Sequence, residues 1–346
     1  MRSSNFSESL PHGSNEIRPS TKPTVSRVSV IIPSYNAAAT IAATVDSVLA
    51  QTFSDFEIIC VDDGSTDRTK AILGGYSERL RLVDQANNGP AAARNHGARL
   101  SSGEYLAFLD ADDIWMPNFL ERTVAALDAD PSLALVYCNA SLADSEGVDL
   151  GAALIGKGVD HAPSLNELLT QLWPIMPSAA LVRRAAYEQG HGYRDELRGA
   201  SFRFEDVDFW IRMREQGPFK YIPEELIVWR FAWFPRELKK LPDYSKALHV
   251  FEAYLQEHYG VSAAPLVEAR ARAPRSILAH IGLRALRDGD RPRARAAFAR
   301  AILVDRYRLK NYLRWMRTFL PHRLAQSLSG GSSRGAGARS AKVYQE

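Results

Sequence analysis

The sequence predicts an α/β protein built on a doubly wound, mostly parallel sheet, with a helical extension at its C-terminal end. Three observations lead there. Short continuous apolar runs recur through the first half of the chain, as in VSVII, EIICV and EYLAFL. Segments with apolar residues at helical spacing separate them. Each of these runs ends in a polar cluster, and ligands of such sheets bind beyond the carboxyl ends of the strands.

Residues 28–32 (VSVII) form a run too apolar for a half-exposed strand, so a strand buried on both faces is expected. Residues 38–51 carry Ile41, Val45, Val48 and Leu49 on one helical face. Strand signals return at 57–61, 80–83, 104–109 and 133–138. Helices are predicted from 67, with Asp67 as N-cap, over 90–100 with Pro90 at the first position, and over 117–127. From 140 to 195 the periodicity weakens around a short apolar stretch, 178–182. A helix over 205–215 and a strand over 222–229 follow. Beyond about 243 the pattern is all-helical, and 276–286 with 292–304 reads as an antiparallel helix pair. The resulting division is a disordered segment 1–24, a main domain 25–240, a helical region 241–328 and a disordered tail 329–346.

Composition narrows the function. A net charge of +3 over 346 residues gives no footprint for nucleic acid. Cys60 and Cys138 sit in apolar runs and read as buried thiols of a reducing compartment. No Cys/His spacing suits zinc, no window reaches the roughly 18 apolar residues of a membrane span, and residues 1–25 lack the apolar core of a secretory signal. The expected location is the cytoplasm. Arg-rich helices near the C-terminus, with Tyr312, Trp315 and Phe319, suit a solvated face, a lid or dimer contact, or peripheral contact with the inner face of an anionic membrane.

Four constellations can carry chemistry. Pro33, Ser34, Tyr35 and Asn36 follow the first strand, where an aromatic ring can stack on a base, although the same residues suit an ordinary turn. Asp62 and Asp63 follow the second, in DDGSTD; a turn and cap need only one carboxylate, and a pair can accept from a base and from ribose hydroxyls. Asp110, Ala111, Asp112 and Asp113 place three carboxylates in four residues, a repulsion that Mg²⁺ or Mn²⁺ relieves. Glu205 and Asp206 open a helix, where carboxylates suit the dipole and can also serve as general base. Arg94, on the Ala-rich helix, suits the surface, a phosphate, or the task of orienting the acidic loop.

Taken in this order, three stretches resemble glycosyltransferase family 2: VSVIIPSYNAAATIAATVDSVLAQTFSDFEIICVDDGSTDRT, NNGPAAARNHGARLSSGEYLAFLDADDIWMPNFLE and FEDVDFWIRM. The resemblance spans about 28–230 and implies a GT-A fold and an inverting, non-processive transferase of nucleotide-sugar donors, UDP-linked by default. It places Pro33 and Tyr35 against the nucleobase and Asp63 on its edge, with Asp62 close by. Asp110 and Asp112 match the DXD motif, with Asp112 as metal ligand and Asp110 as a ribose contact. Asp206 matches the base, with Glu205 the less favoured member. Ser178 and HGYRD (191–195) match the acceptor side, with His191 in place of a glycine. Where the family often has a His near the diphosphate, this chain has Arg230 within VWRFAW. The acceptor implied is a glycan or lipid-linked saccharide, in cell-surface polysaccharide or glycoconjugate synthesis. QxxRW is absent, which argues against the processive synthases. PSYNAAATI has no Gly, Lys or Arg, which argues against a nucleotidyltransferase. A non-catalytic nucleotide-sugar sensor on the same fold stays open as the alternative.

Overall fold

Seven consecutive buried residues, Val28–Ser34, make strand β1, and its lack of an exposed face puts it at the centre of the sheet. The computed structural model describes residues 26–144, 147, 149–156, 158–197, 204–230, 244–304 and 309–319. The segments expected to be disordered, 1–24 and 329–346, lie outside them. Strand β2 (Phe56–Asp62) runs parallel to β1, from Val28 opposite Phe56 to Ser34 opposite Asp62. Strand β3 (Arg81–Asp84) extends the sheet beyond β2, and β4 (Tyr105–Phe108) joins the other side of β1, again parallel. Helices α1 (Ile41–Leu49), α2 (Thr69–Gly74) and α3 (Gly89–Leu100) connect these strands. The order β3-β2-β1-β4 reverses direction at β1, which opens a crevice above the carboxyl ends of β1 and β4.

The parallel arrangement stops there. Strand β8 (Ala180–Arg183) pairs antiparallel with β4, and β6 (Leu135–Ala143) antiparallel with β8. Strand β9 (Phe219–Arg230) is parallel to β6, and the two-residue β5 (Ile114–Trp115) closes on β9. A hairpin partner, β7 (Asp149–Ala153), pairs with β6. The mostly parallel sheet expected from the apolar runs is therefore a parallel half joined to a mixed half. The weak periodicity of 140–195 hid the rest of β6, together with β7, β8, α5 (Leu165–Thr170) and α6 (Arg184–Gln189).

Two element ends differ from expectation for local reasons. Helix α4 spans Phe119–Ala129 rather than starting at 117, because residues 114–115 are drawn into β5. Helix α2 starts at Thr69, since the Asp67 carboxylate accepts from the Thr69 N–H and hydroxyl and from the Ala38 N–H. Asp67 thus ties two loops together just ahead of the helix.

Close packing sets the position of α3. A Cβ on Gly97 would lie 2.5 Å from the Ile31 Cγ2 atom, so glycine is what lets this helix lie flat on β1. Helix α7 (Phe204–Gln216) is buried through its first ten residues. Helix α8 (Tyr244–Tyr259) covers it, with Phe204 and Phe251 stacked at 5.3 Å. The expected helix pair is present as α9 (Ala264–Arg287) and α10 (Arg291–Val304), with α11 (Leu309–Arg317) following. Gly289 turns the pair at φ +83°, and a Cβ on Gly282 would meet Phe298 at 2.6 Å. No helix among the described residues is long and apolar enough to cross a membrane.

Candidate active site at the carboxyl ends of the strands

The first loop is held by the second. The Asn36 N–H donates to the Ser65 Oγ at 3.0 Å, and the Asn36 Oδ1 accepts from the Thr66 N–H at 2.8 Å. Asn36 adopts φ +50°, a conformation that asparagine tolerates better than most side chains. The Ala37 N–H donates to the Thr69 hydroxyl at 2.7 Å. GSTD therefore spends its polar groups on the shape of the first loop, and so does Asn36. What that loop offers outward is Tyr35, which is 51% exposed. Pro33 is buried within β1.

The paired carboxylates divide their work. Asp63 accepts from the Gln85 Nε2 at 2.7 Å and from the Asn88 and Gly89 N–H groups at 2.8 Å each. It is the anchor for the entrance to α3. Asp62 accepts a single long bond, 3.3 Å, from the Ser65 N–H on its Oδ2. Its Oδ1 is buried without a hydrogen-bond partner among the described residues, and so is the Oγ of Ser34, its neighbour in register. A buried acceptor left unmatched costs free energy. The open acceptor of the pair is thus Asp62, whereas the resemblance pointed to Asp63.

The acidic turn after β4 is anchored from below. Thr44 on α1 donates to the carbonyls of Ala111 (3.0 Å) and Asp113 (2.9 Å), and Thr40 donates to Ala111 at 2.8 Å. Ala111 is buried and contributes its backbone. The Ser178 hydroxyl donates to the Asp113 Oδ2 at 2.5 Å and accepts from the Asp110 N–H at 3.1 Å. The Trp115 indole N–H holds the Ser178 carbonyl at 2.8 Å. Burial, with Asp112 and Asp110 adding repulsion, pushes the Asp113 carboxyl well above the usual carboxylate range, against the bonds from Ser178 and the Arg230 N–H. Ser178 was expected on the acceptor side; its hydroxyl instead lies fully buried beneath the acidic turn.

Arg94 joins this turn to α7. It is 1% exposed, so it is no surface arginine. Its Nη2 donates to the Asp110 Oδ1 at 2.5 Å, and its Nη1 reaches the Asp206 Oδ1 at 3.4 Å. The guanidinium lies 5.0 Å from the Tyr193 ring, which stacks on Phe209 at 4.0 Å. Burial opposes its charge, but Asp110, Tyr193 and Asp206 outweigh that and raise its pKa above the usual value. Of the three roles open from sequence, the geometry matches orientation of the acidic loop.

Asp206 and Glu205 are both buried in the first turn of α7. Two turns of interactions hold that helix. Arg212 pairs with Asp208 through its Nε (2.9 Å) and Nη2 (2.6 Å), and its Nη1 reaches the carbonyls of Gly190 and Gly192. Asn95, beside Arg94, bonds the N–H and carbonyl of Tyr193 at 2.9 and 2.8 Å. The HGYRD turn is thus pinned by α3 and α7, with His191 and Gly192 at φ +60° and +62°. Sequence reasoning passed over Asn95, Tyr193 and the two threonines; only the juxtaposition of Arg94 and Asn95 in the sequence hinted at the first.

Arg230 ends β9 beside the acidic turn. Its N–H donates to the Asp113 Oδ1 at 3.2 Å, and its Nη1 to the Asp112 carbonyl at 3.4 Å. Asp112 itself is exposed. With Asp110 on Arg94 and Asp113 on Ser178, the turn presents one carboxylate outward. That donor set fits a hard cation of the Mg²⁺ or Mn²⁺ kind, which binds through one or two carboxylates together with substrate phosphates. Among the described residues no three His, Cys, Asp or Glu side chains converge as a complete metal cage.

A crevice at the switch point of a half-parallel sheet, with an exposed aromatic ring, an open buried carboxylate and an acidic turn facing a helix-borne Asp, defines a GT-A glycosyltransferase. The fold of S. aureus TarS 1–349 is similar: TM-score 0.50 at 19% identity, over 84% of this chain and 90% of that one. The same protein in complex with UDP-GlcNAc gives a TM-score of 0.52 at 18% identity, over 82% and 93%. The chain belongs to glycosyltransferase family 2, whose model, "Glycosyl transferase family 2", matches residues 29–190. The putative glycosyltransferase EpsE of Bacillus subtilis (strain 168) is 33% identical over 198 residues, 55% of this chain and 68% of its own length. The chondroitin synthase of Escherichia coli is 33% identical over 210 residues, 60% of this chain, and the chain spans only 29% of that longer protein.

Proposed function

We propose that this chain transfers a sugar from a nucleoside-diphosphate donor, UDP-linked by default, to a hydroxyl of a glycan or lipid-linked saccharide, with inversion at the anomeric carbon. The setting is the synthesis of cell-surface polysaccharide or glycoconjugate. The observation that carries the reading is the buried Arg94, whose guanidinium ties the acidic turn at Asp110 to Asp206 across 112 positions of sequence. Tyr35 offers its exposed ring to the nucleobase, and the open Asp62 Oδ1 accepts from it. Asp112 would hold a divalent cation, which when bound neutralises charge that builds on the departing diphosphate. Arg230, beside Asp112, adds positive charge on that side. Asp206 takes the proton of the attacking hydroxyl, with the Arg94 cation keeping its carboxylate oriented. Positioning of two substrates in one crevice supplies much of the rate.

A panel of UDP-, dTDP- and GDP-sugars, read as nucleoside diphosphate release with and without Mn²⁺, tests the reading. Asp206→Asn should lower turnover by about 10²–10⁴-fold and leave donor binding intact. Asp112→Ala should remove the Mn²⁺ dependence of donor binding in titration calorimetry. Full turnover in Asp206→Asn would remove the base assignment. Donor binding without any release of nucleoside diphosphate would favour the sensor alternative.

A further inference from the structure

Helix α11 is inside out. Its polar Asn311 is 1% exposed and donates through Nδ2 to the Ala301 carbonyl of α10 at 3.1 Å. Trp315 lies on the same side, against the small core of Ala285, Ala294 and Phe298. The opposite side carries Leu309, Tyr312, Leu313 and Met316, which are 68%, 37%, 49% and 50% exposed. Their spacing of three, four and seven residues puts them in one stripe of an α-helix. Phe319 continues the apolar surface just past the helix end and sits under the Arg295 guanidinium at 4.1 Å. Leu303 on α10 is exposed as well. Such a stripe needs an occupant, because a folded chain gains nothing by presenting clustered leucines to water.

Charge identifies the occupant. At 100° per residue, Lys310, Arg314 and Arg317 fall together along one flank of the stripe. Between Arg291 and Phe319 the sequence has eight arginines and one lysine against a single acid, Asp305. The whole chain carries only +3, so the remainder is net acidic and the cations are segregated here. An apolar stripe with a basic border matches a surface that is apolar within and anionic at its edge. We infer that α11, with the adjoining end of α10, docks on an anionic lipid surface, with the apolar side chains at the acyl boundary and the basic flank among the headgroups. A second copy of this chain would bring the same cations face to face, which disfavours self-association through this patch. The inference rests on these helices alone and is independent of the proposed transferase chemistry.

The test uses the full chain without donor or acceptor. Co-sedimentation is measured with vesicles of phosphatidylcholine alone and of phosphatidylcholine mixed with phosphatidylglycerol. The unmodified chain should bind the mixed vesicles, release with added salt, and ignore the neutral ones. Lys310→Gln with Arg314→Gln should weaken binding about 25-fold, since each cation near such a surface contributes about fivefold. Leu313→Glu with Met316→Glu should abolish it. Both positions are exposed, so helical circular dichroism and the unfolding midpoint should stay unchanged. Equal binding to neutral and anionic vesicles would overturn the charge argument. No binding to either, or binding that survives Leu313→Glu with Met316→Glu, would overturn the proposal. A salt-insensitive dimer that those substitutions dissociate, in sedimentation velocity, would give the stripe to a second copy instead.

Discussion

Replacing Arg94 by Met keeps most of the side chain's length and removes its charge. Two carboxylates then lose their shared partner: Asp110, at 2.5 Å, and Asp206, at 3.4 Å. Breaking a buried ion pair from one side costs roughly 3–5 kcal/mol, because the charge left behind is uncompensated. The Asp110 and Asp206 side chains are 15% and 10% exposed, so water can reach them in part, and the lower end, about 3 kcal/mol, applies. For a domain of this size that is a fall in Tm of about 6–12 °C. The acidic turn and α7 would also lose their common reference, and a misplacement of the reacting groups costs about 10²-fold in rate. Denaturant unfolding followed by tryptophan fluorescence gives the first quantity and nucleoside diphosphate release the second. The control is Arg94→Met with Asp110→Asn. Neutralising the orphaned carboxylate should return about 1–2 kcal/mol, so the double variant should be more stable than the single one. An Arg94→Met protein within about 1 kcal/mol of the parent, or a double variant that is less stable than the single, would refute the bridge.

Other outcomes follow from the same geometry. Ser178→Ala removes the donor to a buried carboxylate, so it should cost about 1.5–3 kcal/mol in denaturant unfolding and Ser178→Thr less. Tyr35→Ala should weaken nucleotide binding roughly 10–100-fold by calorimetry, in keeping with the loss of one stacked base, while Tyr35→Phe keeps the ring and the affinity. Unchanged affinity in the alanine variant would remove Tyr35 from the site. Burial pushes the Cys138 thiol up to about 12 and raises that of Cys60 further. A thiol whose pKa is raised stays protonated, hence unreactive, at pH values below it. A colorimetric thiol reagent at mildly alkaline pH should therefore find neither cysteine in the folded chain and both after denaturation. Rapid labelling of the native protein would contradict the packing described for β2 and β6.

Local pattern was enough for much of this protein. Runs such as VSVII and EIICV report burial on both faces by composition alone, and 3.6-residue spacing reports helices, so the first half of the fold and the place of each polar cluster could be read directly. The order of the acidic motifs also named the right neighbourhood. Sequence could not say which members of that neighbourhood stay open. Asp62 and Asp63 are adjacent and chemically identical, yet Asp63 is consumed by the entrance to α3, more than 20 positions on. Among Asp110, Asp112 and Asp113, the outward carboxylate is decided by Arg94, Ser178 and Arg230, which reach the turn from three other elements. The antiparallel half of the sheet was hidden for the same reason, since its strands pair with partners far along the chain and show no strong period of their own. Residue type and spacing are local properties, whereas the satisfaction of a buried charge is settled by whatever the fold carries to within about 3 Å of it.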